Sequence, residues 1–349
     1  MKPRLTQLVR LHGCSCKFRE KELTELLPRL NQMPGENPDV LLGVWDDAGA
    51  IKISGDIAYV THLDFFTPIV DDPYSYGRIA TCNATSDIFA KGAVDRIGIL
   101  VIMGLPLKMP LDTSRLILKG IHDFCKEVGA SILGGHTIVN PWPIVGASVT
   151  ATISPAKLIS NSNAQPGDSL ILTKPLGIQP AMAALRIPKR MRSLIQEVSE
   201  DVVLKAASLA EQSMMMPNKA AAECIVDTGV NAATDVTGFG LIGHAGIMAR
   251  RSSVDIEIHT LPVFEGAMQI SKALGFGLDE GRSAETSGGL LISLPRDRTT
   301  RLVDALARKG VSAHIVGEVK RGEGKALLRK DPRIVEIGSV KTPSSDGYM

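Results

Sequence analysis

The feature that most limits what this chain can fold into is a repeated exchange between two periods. Apolar runs of strand length alternate with helical runs, break off at a polar stretch near the middle, and then begin again. Ile57 to Phe66 (IAYVTHLDFF) reads as a strand with Asp64 near its end, and residues 77 to 91 (GRIATCNATSDIFAK) as a helix closed by Gly92. Ile97 to Met103 is a short all-apolar strand. Asp112 is a fair N-cap for a helix to Glu127, with Leu116, Ile117, Ile121, Phe124 and Cys125 inward and Gly129 as its stop. Ser131 to Leu133 returns as a strand leading into Gly134-Gly135-His136, and Pro143 to Ile153 is another.

Ser160 to Asp168 (SNSNAQPGD) has the composition of an interdomain connection. Beyond it come a strand at Ser169 to Thr173, helical runs around 190 to 215, a Gly-rich turn into a helix near 238, and strands at 289–294 and 312–319. The reading is an α/β (α+β) chain of two mixed domains, about 21–158 and 159–349. An arm, residues 1–20, precedes them. It is rich in charge and short of core residues, so it is expected to be a flexible, loosely held segment. Leu23, Leu26, Leu27 and Leu30 fall at helical spacing just after it, with Pro28 set to end that helix early. The tail from Lys341 to Met349 is polar and expected to fray.

Charge and cysteine content narrow the function classes. Lys and Arg total 39 against 37 Asp and Glu, a net charge of +2, which provides no footprint for nucleic acid or a membrane surface. The N-terminus lacks an apolar signal region, and the most apolar run, Ile97 to Leu107, is too short to span a bilayer and is broken by Gly104 and Pro106. Five scattered cysteines, an odd number, argue against a disulfide framework. A cytoplasmic protein is the expectation.

Phosphate-binding signatures are mostly missing. There is no G-x-x-x-x-G-K-[ST] loop. Gly238, Gly240 and Gly243 (GFGLIG) match G-x-G-x-x-G, but no convincing strand precedes them and no acidic residue follows at about 20 residues. What remains there is a helix start with open N–H groups. The aspartates say more. Asp47, Asp87 and Asp235 lie beside small residues near strand ends or on a helix, where Mg²⁺ could sit between carboxylates and phosphates; an N-cap or solvated turn is the better reading of any one of them alone, and the set of three brings the two readings level. Asn83 shares a helix face with Asp87. Gly134-Gly135-His136 lets backbone approach a ligand or simply makes a tight turn. His62, His122, His244, His259 and His314 read as structural, Cys82, Cys125 and Cys224 as small core residues, and Asp71-Asp72 as a turn and cap.

The stretch LHGCSCKF places Cys14 and Cys16 beside Lys17. Zinc needs about four ligands and no second pair follows, which removes the metal clip. Lys17 and the helix start beyond it would lower a thiol pKa, so a reactive thiolate stands against two cysteines in a loose arm.

Taken in order, HG-CSCK, WDDAGA, LDFFTPIVDDPYSYGRIATCNATSDIFAKGA, ILGGHTIVNPWPI-GASVTATI, LTKPLGI, TDVTGFGLIGH and TSGGLL resemble the selenophosphate synthetase (selenide, water dikinase) family, over about residues 5 to 320. The resemblance implies an aminoimidazole ribonucleotide synthetase-like fold whose N-terminal domains pair into a homodimer. It implies ATP, water and selenide as substrates, selenophosphate, AMP and phosphate as products, and Mg²⁺ and K⁺ as ions. It allows a selenium-delivery protein as a partner. By position it makes Cys14 and Lys17 catalytic and Asp47, Asp87 and Asp235 metal ligands. Lys17, Val44, Trp45, Asp46, Asp64, Asp87, Gly134, Gly135 and His136 become ATP contacts. The chain departs from the pattern at Ser15, at Val44, at His62-Leu63, where a threonine pair is usual, and at Ala284-Glu285. A kinase or ligase of the same superfamily acting on a purine or thiamine precursor would keep the aspartates without needing the cysteine arm. A non-catalytic nucleotide- or selenium-binding module would bind ATP without turning it over.

Overall fold

In a computed structural model of the chain, residues 3–18, 22, 25–26, 37–44, 46–187 and 193–340 are described. Leu23, Leu27 and Leu30 of the expected first helix, Trp45, residues 188–192 and the tail 341–349 lie outside them.

The first half is built on strands β1 (Val40–Leu42), β2 (Gly49–Ser54), β3 (Ile57–Phe66), β4 (Asp95–Leu105), β5 (Ser131–Val139) and β6 (Ile144–Ile153). They form one sheet in the order β1-β2-β3-β6-β4-β5, antiparallel except for β4 and β5. Between β3 and β4 runs helix α1 (Pro73–Ala90), and between β4 and β5 helix α2 (Leu111–Val128), the crossover that a parallel pair requires. Helix α1 starts earlier than the sequence reading placed it. Asp72 caps it by accepting the Ser75 N–H at 2.8 Å, and Pro73 supplies a first-turn residue with no N–H to satisfy.

Every residue of α1 except Tyr74 and Arg78 is buried. Its small side chains (Gly77, Ala80, Ala84, Ser86) allow that, because both helices and sheets approach it closely. A β-carbon on Gly77 would meet the Ile117 carbonyl oxygen at 2.0 Å, and one on Gly120 would meet that of Tyr74 at 2.1 Å, so α1 and α2 cross backbone to backbone.

The second half carries β7 (Ser169–Leu172), α3 (Ile178–Arg186), α4 (Glu200–Met214), α5 (Lys219–Thr228), β8 (Ala232–Asp235), α6 (Gly240–Ser252), β9 (Val254–Phe264), α7 (Ala267–Leu274), β10 (Leu290–Leu294), α8 (Thr299–Arg308), β11 (His314–Arg321) and β12 (Ala326–Ile337). Its sheet runs β12-β9-β11-β7-β10-β8. The expectation of two mixed α/β halves therefore holds for the architecture. Helix α1 touches both: it packs on β3 and β6 of the first sheet and on β8, α4 and α5 of the second half. No described helix is long and apolar enough to cross a membrane.

Three sequence readings change. Gly134-Gly135-His136 is not a turn after a strand but the middle of β5, which runs on to Val139. A β-carbon on Gly135 would sit 2.2 Å from the Val101 carbonyl oxygen, so this glycine serves the close pairing of β4 with β5. Strands β1, β2, β9 and β12 and helices α3, α5, α7 and α8 were not anticipated, and β8 is a strand just before the GFGLIG turn, where the sequence offered none that convinced. The arm expected to be loose is docked in this structure. Leu5 is fully buried, the Gly13 N–H donates to the Thr67 carbonyl at 3.0 Å, and Asp71 accepts from the Thr6 amide at 2.9 Å, the Thr6 hydroxyl at 2.6 Å and Arg4 Nε at 2.9 Å. Asp71, read as a turn residue, is the anchor.

Candidate active site

Alternation along β3 puts His62 and Asp64 on the face that also buries Val60 and Phe66, towards α1. On α1, Asn83, Asp87 and Lys91 follow one another at helical-turn spacing and line the facing surface, with Lys91 as the C-cap. Strand β8 ends at Asp235, and the turn Thr286–Gly289 leads into β10 beside it. The arm lays Cys14 and Lys17 across these elements. Most of the residues singled out from the sequence thus come together from separate segments of the chain.

Asn83 is the hub. Its Oδ1 accepts from the Cys14 thiol at 3.2 Å and from the Ser287 N–H at 2.8 Å, while its Nδ2 donates to Asp64 Oδ2 at 2.6 Å. Lys17 Nζ lies 3.1 Å from the same Asp64 oxygen. Thr286 Oγ1 accepts the Cys14 N–H at 3.0 Å. The Gly-rich turn closes the other side, since a β-carbon on Gly238 would lie 2.8 Å from the Cys14 carbonyl oxygen.

The electrostatics correct one expectation. Burial pushes the Cys14 thiol up, and the nearby Lys17 only partly offsets this. In the docked conformation Cys14 is a protonated hydrogen-bond donor, not the activated thiolate that Lys17 suggested, because desolvation outweighs a single cation. Burial also works against the Lys17 ammonium, but the acidic groups around it, Asp64 first, override it and hold its pKa well above the ordinary lysine range.

Lys91 forms a second cluster that sequence reasoning missed. Its side chain has no exposed surface, and Nζ lies 2.6 Å from Asp46 Oδ1, 2.8 Å from Asp47 Oδ2 and 3.0 Å from the Ala233 carbonyl oxygen. Burial alone would depress its pKa; Asp47 and Asp46 instead raise it to about 12. Asp46 also accepts from Ser160 Oγ at 2.8 Å, from the Asn161 N–H at 3.3 Å and from the Asp47 N–H at 2.9 Å, so its carboxylate is fully occupied by the fold. Thr234 Oγ1 donates to Asp47 Oδ1 at 2.8 Å.

The three aspartates assigned to metal behave as one group. Burial raises Asp47, and Asp87 and Asp46 add to that against Lys91. Asp235 is raised well above the carboxylate range by burial and then by Asp87 and Asp47. Burial disfavours the Asp87 charge too, but His62, together with Lys17 and Lys91, outweighs it and lowers its pKa. Asp235 Oδ2 is buried with no hydrogen-bond donor on it, and Asp47 Oδ2 has only the Lys91 ammonium beside it. Hard oxygen atoms, buried and mutually repelling, one of them without a donor, fit a divalent cation. His62, read as structural, has Nε2 2.9 Å from Asp87 Oδ2. Its position two residues before Asp64, on the same face of β3, was the signal that could have found it.

Not everything converges. Through the registers Asp64–Ala147, Ala147–Val101 and Val101–Gly135, Gly135 stands three strands from Asp64, about 14 Å at strand spacing. All nine residues of β5 are exposed. Val44 is half exposed near Asp46.

Comparison with known proteins agrees with this layout. Residues 45–153 match the family model "AIR synthase related protein, N-terminal domain" and residues 165–330 the corresponding C-terminal domain. Among solved structures, the ThiL protein titled "AaThiL complexed with AMPPCP and TMP" has a TM-score of 0.67 at 20% identity, over 90% of this chain and 96% of that one. A hydrogenase maturation protein HypE in complex with ATP gives 0.61 at 19% identity, over 90% and 92%. These share the fold. A selenide, water dikinase of Methanocaldococcus jannaschii is 44% identical over 346 residues, 96% of this chain and 98% of that one. The chain belongs to the selenide, water dikinase family. A further member, from Caldanaerobacter subterraneus, is 38% identical over 91% of this chain and 96% of its own.

In this family member the Lys91 cluster is tested by Lys91→Met. Removing the ammonium leaves two buried carboxylates facing each other, so stability in urea should fall by about 3–5 kcal/mol, with part of the loss recovered by a divalent cation that neutralises Asp47. A variant as stable as its parent would show that the cluster does not hold the halves together.

Proposed function

We propose that the chain transfers the γ-phosphoryl group of ATP to selenide, giving selenophosphate, AMP and phosphate with the uptake of water. The observation that carries this reading is the Cys14–Asn83–Asp64–Lys17 chain of contacts beside buried aspartates, in a protein that matches selenide, water dikinases end to end.

Each residue has a role that its chemistry supports. Lys17, held cationic by Asp64, moves to the triphosphate and stabilises charge on the oxygens of the transferred group. Cys14 holds or delivers selenium, a soft atom that a sulfur ligand suits and a carboxylate does not. Asn83 keeps the thiol and Lys17 together by bonding both Cys14 and Asp64. Asp47, Asp87 and Asp235 would hold Mg²⁺, which when bound neutralises the phosphates and orients them for in-line displacement. K⁺ is a further ion of the reaction. Asp46 acts by fixing Asp47 through Lys91 rather than by offering its own carboxylate to nucleotide.

The remaining nucleotide contacts call for a second copy of the chain. The edge strand β5 is exposed throughout, and next to it the face of the first sheet away from α1 shows Leu63, Phe65 and Leu100 to solvent. An uncovered apolar face of this kind is an interaction surface. We take two copies to pair through it, and Gly134, Gly135 and His136 to reach the nucleotide of the partner, since they stand too far from Asp64 of their own.

Two measurements test the reading. Anaerobic incubation with ATP, Mg²⁺ and selenide, followed by phosphorus NMR, should yield selenophosphate and AMP. Cys14→Ser and Lys17→Ala should each lose roughly 10²-fold or more of that activity. Selenide-independent product, or full activity in both variants, would sink it. Sedimentation should find a dimer that Leu133→Lys converts to monomer with reduced turnover; a parent that sediments as a monomer would remove the shared-site reading.

A further inference from the structure

We propose that His62 is a metal ligand of this site, giving the cation at Asp87 a nitrogen donor, so that a divalent transition-metal ion such as Mn²⁺ or Co²⁺ is bound more strongly relative to Mg²⁺ than carboxylates alone would allow. The inference rests on reading Asp87 as a metal ligand and adds to it a residue that neither the motifs nor the family assignment identifies.

Position is the first argument. His62 and Asp64 project from one face of β3 onto α1, and donor atoms of His62, Asp64 and Asp87 all lie within 4.8 Å of one another, the one such group among the described residues. Asp64 Oδ2 already faces Lys17 and Asn83, which leaves His62 and Asp87 as the pair best placed to share an ion.

Their geometry is the second. His62 Nε2 is buried and only 2.9 Å from Asp87 Oδ2, yet the ring N–H is not aligned with that oxygen and Nε2 has no other hydrogen-bond partner. A ring nitrogen and a carboxylate pair of this kind normally closes into a straight hydrogen bond. Two donors about 2.1 Å from a common ion and at right angles to it stand about 3 Å apart, which is the spacing found here. Asp235 Oδ2, buried and likewise without a donor, belongs to a carboxylate close enough to Asp87 for the two to repel.

Chemistry then selects the ion. Mg²⁺ demands oxygen ligands in a near-ideal octahedron and keeps its waters, so an imidazole gains it little. Imidazole nitrogen binds first-row transition ions more strongly, and carboxylates beside it suit Mn²⁺ and Co²⁺.

The probe is Mn²⁺ alone, without nucleotide, on protein labelled with ¹⁵N-histidine and on unlabelled protein. Pulsed EPR should show a nitrogen coupling that changes with the label and vanishes in His62→Gln. The preference for Mn²⁺ over Mg²⁺, measured by competition, should fall at least roughly tenfold in that variant, the lower end of what losing even an outer-shell partner costs. The isotope comparison needs only the unsubstituted protein, so it stands even if the variant fails to fold. Bound Mn²⁺ without histidine coupling would overturn the proposal, leave Asp87 as a ligand and make His62 only its ion-pair partner. A coupling that survives in His62→Gln would overturn it in favour of another histidine. Absence of Mn²⁺ binding would remove the Asp87 assignment together with it.

Discussion

Lys91 caps a helix that has almost no surface of its own, and its ammonium reaches Asp46 and Asp47 of the first half and the Ala233 carbonyl of the second sheet. An ammonium with no exposed surface loses several kcal/mol of hydration, and only well-placed oxygens offset that. Those oxygens come from both halves, so the helix, the strand β8 and the loop carrying Asp46 and Asp47 are fixed relative to one another by one group. The rest of the site inherits that geometry. Asp87 lies one turn before Lys91 on α1, Asn83 one turn before that, and Asp235 ends the strand that Lys91 contacts.

The same burial makes the site expensive. Asp47 and Asp235 are pushed up by desolvation and by their acidic neighbours, and Asp235 keeps an oxygen without a donor. A carboxyl whose folded pKa lies above its unfolded value loses stability as pH rises from the unfolded value towards the folded one, so these groups weaken the cation-free protein near neutrality. Such strain is what a site gives up in stability to bind charge strongly. Cys14 shows the other side of this balance. The contacts that dock the arm also bury the thiol and keep its proton on, so its reactivity depends on where the arm lies.

What the sequence disclosed and what it withheld follow from the range of the interactions. The apolar runs that became β3, β4, β6 and β7 were legible because a buried strand is written in its own residues. The cap of α1 was half legible, with Asp72 recognised as a cap but the helix begun too late. Gly134 and Gly135 suggested a turn, yet Gly135 answers to the backbone of Val101 on another strand, which local sequence does not mention. Strand β12 (ALLRKDPRIVEI) carries the charges and proline of an exposed edge and so did not resemble a strand. The family motifs brought Cys14, Lys17 and the aspartates forward. Asn83 was seen only as the neighbour of Asp87 on one helix face, and Lys91 and His62 were hidden because lysine and histidine are common on surfaces and only the fold buries them against carboxylates.

The central claim is that the converging carboxylates form a cation site that the fold maintains at a cost. Urea unfolding of Asp235→Asn, with and without Mg²⁺ and a non-hydrolysable ATP analogue, tests it most directly. The account predicts a change of sign: the variant should be more stable than its parent without ligand, because a buried repulsion is gone, and less stable than its parent with ligand, because a metal ligand is gone. A variant destabilised equally in both conditions would show that Asp235 is only a structural residue, and would contradict the account.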